Sequence, residues 1–200
     1  MEPINAKFYM IDRRFLLLLF CLGLSGCVNL KPKPDTIQHF ALGPVQLADI
    51  NADAIPLYVA RPELPVYLDD RRLQYRDASG LVLSLADARW AETLEEGVAR
   101  ALSEYLAATQ SVRVTGFYPW PPRSSFLSPV VRVRVLKFGV LATGEISMLA
   151  EWEVLEEAAV IAQGQYQSSD LFWDKATAIS YVAGLNQALQ NLSNEIVKSL

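Results

Sequence analysis

Cysteine and histidine are almost missing from this 200-residue chain, which holds two cysteines, Cys21 and Cys27, and one histidine, His39. A nucleophile with a histidine base, or a zinc centre built from several imidazoles, therefore lacks the partners it needs. No block or stripe of Lys and Arg occurs, and the formal net charge is −4. The electrostatic footprint of a nucleic-acid binder is absent, so no nucleic-acid partner is expected. There is no glycine loop of the phosphate-cradling kind and no calcium-loop spacing of Asp and Asn. No internal repeat or long low-complexity segment appears. No apolar run approaches the roughly 20 residues that cross a hydrocarbon core. What the chain does have is apolar content, 52% of its residues. A domain with so few cysteines has to be held by such a core.

The longest apolar run, Phe15 to Leu24, follows Arg13 and Arg14 and leads into Leu24-Ser25-Gly26-Cys27. A basic start, about 7 to 15 apolar residues and small residues at the cut describe a secretory signal. A cysteine directly after the cut adds a thiol that can take a diacylglyceryl group through a thioether before cleavage between Gly26 and Cys27. Residues 1–26 therefore read as a lipoprotein signal peptide, and Cys27 as the lipidation site. The covalent diacylglycerol and N-acyl lipid on Cys27 is the only attached group expected; no cofactor, metal or catalytic residue is. Met10 to Gly26 already forms a complete signal, so Met1 and Met10 both stand as start sites. Both cysteines are used up in this way, since Cys21 leaves with the signal. Val28 occupies the sorting position. By resemblance to sorted lipoproteins, which are retained at the inner membrane by an aspartate there, the expected destination is the periplasmic face of the outer membrane.

Residues 27–35 carry Pro32 and Pro34 among polar residues and show no periodicity. An extended tether at about 3.1 Å per residue would span roughly 25 Å from Val28 to Asp35. A single domain is expected over residues 36–200. Strand signals fall at Ile37 to Val45, Ile55 to Arg61, Leu73 to Tyr75 with Leu81 to Leu85 as a hairpin, Val112 to Thr115, Val130 to Val140, Ile146 to Leu155 and Val160 to Tyr166. Phe138 is out of phase with Val131, Val133 and Val135, which predicts a bulge or twist between Val135 and Phe138. Two helices are expected. One starts from Asp87 as N-cap and places Trp90, Leu94, Val98, Ala101, Leu102, Tyr105 and Leu106 on one stripe. The other runs from about Lys175 to Leu200 and buries Ile179, Val182, Leu185, Leu189, Leu192 and Ile196, with Gln187, Gln190, Asn191, Asn194 and Lys198 opposite. The fold class expected is α/β (α+β): two layers, with a mixed, mostly antiparallel sheet and two amphipathic helices on one face.

His39 reads as a satisfied or exposed strand residue. The adjacent carboxylates Asp69-Asp70, Glu95-Glu96 and Glu156-Glu157 point apart on helices and strands alike, so none of these pairs converges on a substrate. In Phe117-Tyr118-Pro119-Trp120-Pro121-Pro122 the prolines exclude regular structure while three aromatics must be placed. Phe117, Tyr118 and Trp120 are the candidate partner-contact residues, the alternative being that they fold back on their own core.

The lipobox, IQHFALGPV (37–45), LPVYLDDRRLQYRD (64–77), ARWAETLEEGVARAL (88–102), VVRVRVLKFGV (130–140), the strand through Trp152 and ALQNLSNEIVKSL (188–200) fall in an order that resembles the ABC-type transport auxiliary lipoproteins, the PqiC/YmbA-like group. The most specific piece is Arg89-Trp90-Ala91-Glu92 with Leu94 and Glu95-Glu96-Gly97-Val98. The resemblance implies a non-enzymatic, membrane-anchored periplasmic lipoprotein. It would accompany MCE-domain or ABC transporter components of the cell envelope in moving lipids or other hydrophobic molecules, and a homo-oligomer would suit such a conduit. The alternative is an outer-membrane assembly chaperone or pilot lipoprotein.

Overall fold

The structure, a computed structural model, describes residues 36–43, 53–120 and 128–200. The expected signal, Cys27, Val28 and the tether lie outside the described residues. Among those described, no helix is long and apolar enough to cross a membrane.

The framework is a three-strand meander, β6 (Val130–Leu141), β7 (Ile146–Glu156) and β8 (Ala159–Gln167), antiparallel throughout. Alternation sets its two faces. Ile146, Met148, Ala150, Trp152 and Val154 are buried, while Ser147, Leu149, Glu151 and Glu153 face the other way. On β6, Val131, Val133 and Val135 are buried, the register then shifts between Val135 and Lys137, and Phe138 and Val140 return to the core side. The bulge stands where the out-of-phase Phe138 predicts it, and it puts Leu136 and Lys137 outside in succession. Trp152 lies across from Gly164, and a Cβ there would sit 2.6 Å from the indole. Only glycine permits that approach.

The other edge of β6 is shared. Near its start it pairs in parallel with β2 (Ile55–Val59), which in turn pairs with β5 (Val112–Phe117). Near its end it pairs in parallel with β3 (Arg72–Arg76), which continues antiparallel to β4 (Val82–Trp90) and on to β1 (Gln38–Phe40). The eight-stranded sheet thus forks at β6, and Glu63 fills the fork through a bridge to Arg134. It is a mixed sheet, antiparallel over most of its ladder, with two helices: the α+β class that the patterning predicts. α1 (Leu94–Ala108) lies on β5 and β2, and α2 (Ala178–Lys198) on β6, β7 and β8 and against α1.

Three sequence expectations need correction. Asp87 caps no helix: residues 87–90 continue β4, with Ala88 and Trp90 buried and Asp87 exposed. The Trp90 amide donates to the Arg71 carbonyl at 2.6 Å and the Ala91 amide to Phe40 at 2.8 Å, so neighbouring strands claim this backbone before a helix can. Thr93 is the cap, its hydroxyl accepting from the Glu96 amide at 3.3 Å. Trp90 is therefore a strand residue rather than part of the helix stripe. The second helix begins at Ala178, capped by Thr177, not at Lys175, whose φ of 60° is left-handed. Ile179 is 68% exposed because the stripe facing the sheet begins at Tyr181 and Val182. The first strand pairs over only three residues, and residues 44 and 45 of the expected span lie outside the described ones.

Candidate docking surface

The sheet has one face covered by helices and one open. On the open face, Arg132 and Arg134 of β6 stand directly opposite Glu153 and Glu151 of β7 in the antiparallel register. Arg132 meets Glu153 at 3.5 Å; Arg134 meets Glu63 at 2.8 Å and Glu151 at 3.8 Å. Gln163 and Gln165 on β8 extend the row, and the whole encloses a shallow concavity of about 910 Å³ that reaches Ala60 and Arg61 at the end of β2. Arg61 clamps Glu95 at the start of α1 through two bonds, 2.7 and 3.0 Å. Its guanidinium also lies 5.2 Å from the centre of the Tyr118 ring. Exposed pairs of this kind contribute little stability, about 0 to 1 kcal/mol each. Their effect is to hold an ordered pattern of alternating charge on an open face.

Arg61 joins this face to the aromatic turn. Phe117 closes β5 and packs partly into the core, the Tyr118 amide donates to the Val59 carbonyl at 3.0 Å, and Trp120 bridges back to Phe117. Trp120 is 67% exposed, although tryptophan is among the side chains with most to gain from burial. The three candidate contact residues therefore divide: Phe117 serves the core, Tyr118 braces Arg61, and Trp120 points outward. The open-face charge pattern is carried in the sequence by Arg132-Val133-Arg134 and Glu151-Trp152-Glu153. Only the register shows that the two triplets oppose each other.

A family model described as the ABC-type transport auxiliary lipoprotein component matches residues 40–197. The chain belongs to that family. As an auxiliary lipoprotein it is a component of a transport system, and transporter partners follow from that description. Two crystal structures are similar to it in fold. An uncharacterized protein is 18% identical with a TM-score of 0.63, over 80% of this chain and 98% of that one. Protein XCC0632 from Xanthomonas campestris, of the DUF330 family, is 16% identical with a TM-score of 0.59, over 80% and 92%. No relative is matched among curated proteins.

The remaining sequence candidates of this auxiliary lipoprotein are scattered. His39 is exposed on β1, across from Arg89. Asp70 turns onto Arg72, whose guanidinium holds its carboxyl at about 2, below the ordinary aspartate range, while Asp69 is exposed. Glu95 is held by Arg61, and Glu156 and Glu157 lie exposed at the β7 to β8 turn. Among the described residues, no group of three or more His, Cys, Asp or Glu is placed to hold a metal ion.

Proposed function

We propose that this auxiliary lipoprotein, anchored by lipid on Cys27 at the periplasmic face of the outer membrane, docks an MCE-domain or ABC transporter partner in a system that moves lipids or other hydrophobic molecules. The docking surface is the open sheet face with its aromatic turn, and its action is non-enzymatic. The observation that carries this is Trp120, exposed at the end of a surface whose charges are already locked in place by one another. The carboxylates facing the concavity, Glu63, Glu151 and Glu153, each lie within 4 Å of an arginine, an arrangement suited to recognition rather than proton transfer. Exposed aromatics surrounded by polar residues carry a disproportionate share of binding energy at interfaces.

Gentle detergent extraction of the tagged protein is expected to bring down transporter or MCE-domain subunits. Trp120→Ala is expected to cut that capture by about tenfold or more without changing the melting temperature. A well-folded protein that captures neither class overturns the docking reading, and unchanged capture by the variant removes the turn from it.

The destination has its own test. One fatty chain holds a protein only marginally, at about 0.8 kcal/mol per methylene, so several chains on Cys27 make a durable anchor whose membrane is then chosen by sorting. Val28→Asp is expected to move the protein from outer-membrane to inner-membrane fractions in a density gradient. An unchanged distribution would mean that position 28 does not direct it.

A further inference from the structure

A second groove lies on a different part of the molecule, between the 3-10 turn Val66–Leu68, the β3–β4 hairpin and the bulged half of β6. It encloses about 220 Å³, and its walls divide by chemistry: Leu68, Val82, Phe138, Val140 and Leu141 are apolar, while Arg76 and Lys137 are cationic. The bulge is what delivers Lys137 here, since the register shift after Val135 turns two successive residues outward.

These two cations differ from the arginines that carry ion pairs elsewhere in the molecule. Arg61, Arg72, Arg100, Arg132 and Arg134 each meet a carboxylate within 4 Å. Among the described residues neither Arg76 nor Lys137 does; Arg76 lies instead over the Tyr67 ring at 5.4 Å. The one carboxylate lining the groove, Asp77, is engaged by its own turn: its Oδ1 accepts from the Ser79 amide at 2.9 Å, the Ser79 hydroxyl at 2.6 Å and the Leu81 amide at 2.9 Å.

Around the mouth, apolar side chains stand in solvent. Tyr67 and Val82 are 36% and 38% exposed, and their chain neighbours Val66 and Leu81 are 89% and 56% exposed. Free cations over an apolar floor with an exposed aliphatic rim match a molecule that is anionic at one end and hydrocarbon at the other. The volume falls below the 300 to 1,000 Å³ or so that encloses a whole ligand, so chains would leave along the rim.

We propose that this groove binds the headgroup and first methylenes of an anionic phosphoglyceride: phosphate on Arg76 and Lys137, and the acyl chains leaving over Tyr67 and Val82. The auxiliary lipoprotein then touches lipid itself, in addition to docking a partner. The proposal rests on the transport reading only for the source of the lipid. Its test uses no partner, so either can fail alone.

The full chain, purified in a non-ionic maltoside detergent, is titrated with dihexanoyl phosphatidylglycerol and read by native mass spectrometry. One bound lipid is expected. Arg76→Gln with Lys137→Gln should weaken it by about tenfold or more, because charge-assisted bonds are the strong ones. Both positions are exposed, so the double variant should keep the parent melting temperature. Ser147→Met, which narrows the groove without touching its charges, should weaken binding as well. Uncharged dihexanoylglycerol and inorganic phosphate should each bind far more weakly than the lipid. Failure of the parent protein to bind overturns the proposal. So does full binding by the folded double variant, binding of dihexanoylglycerol as strong as that of the lipid, which would mark a merely apolar patch, or equal binding of inorganic phosphate, which would mark a plain anion site.

Discussion

Trp90→Ala is expected to lower the unfolding free energy by about 3 to 5 kcal/mol, read from the urea midpoint at constant slope. Trp90 is 4% exposed at the end of β4, where its ring lies 6.5 Å from Tyr181 on α2. Tyr181 meets Trp173 edge-on at 5.6 Å, and Trp173 meets Tyr75 of β3 at 6.0 Å. Two polar ends of this cluster are satisfied, the Tyr181 hydroxyl donating to the Gln74 carbonyl at 2.6 Å and the Trp173 indole N–H to the Thr177 carbonyl at 2.7 Å. Burial pushes the Tyr181 phenol well above its ordinary range, so it stays neutral and keeps donating. The cluster pins the β3–β4 branch of the forked sheet to α2, which no continuous strand ladder does. Truncating Trp90 opens a cavity there and removes an aromatic pair worth about 0.5 to 1.5 kcal/mol beyond its area. Partner capture should fall only in proportion to the unfolded fraction. A loss below about 1 kcal/mol would mean that the branch collapses onto α2 without strain.

The residues around Trp90 also mark where sequence reasoning stops. Asp87-Ala88-Arg89-Trp90 suits a helix start by its capping residue and the spacing of its apolar side chains, and it suits a strand by alternation. The choice is made by Phe40 and Arg71, partners supplied by other strands. Thr93 and Glu96, with the capping-box spacing, are the local signal that puts the helix start later. The meander needed no distant information: a sheet with one wet face writes its alternation into each strand, and Phe138 falling out of phase located the bulge. The fork at β6 left no such trace. Which strand pairs with which half of a shared edge is a matter of register between distant segments, and the opposed Arg and Glu triplets were hidden for the same reason. Trp120 was visible in the sequence as an aromatic held out of regular structure by prolines, but its exposure was not, since Phe117 in the same turn packs inward.

Arg100→Met should cost about 2 to 3 kcal/mol and make the cost depend on pH. Arg100, on α1, donates to Glu104 at 2.9 and 3.1 Å, to Glu92 at 2.5 Å and to the carbonyl of the buried Leu42 at 2.7 Å. Breaking a fully buried ion pair costs about 3 to 5 kcal/mol, and the three side chains here are 17% to 29% exposed, which places the expected loss lower. Burial already raises the Glu104 carboxyl above its ordinary value, with Arg100 holding it down and Glu92 pushing it further up. Without the guanidinium, only the raising influences remain. Folded Glu104 then binds a proton more tightly than the unfolded chain does, so stability is lost as pH rises from about 4.3 through the raised folded value and is kept below it. Urea unfolding should therefore show a smaller deficit against the parent at pH 5 than at pH 8. Adding Glu104→Gln to the variant should remove most of that difference, because the group that titrates is gone. An equal deficit at both pH values would assign the loss to the orphaned Leu42 carbonyl and the missing alkyl packing, leaving the two carboxylates free to reach water on their own.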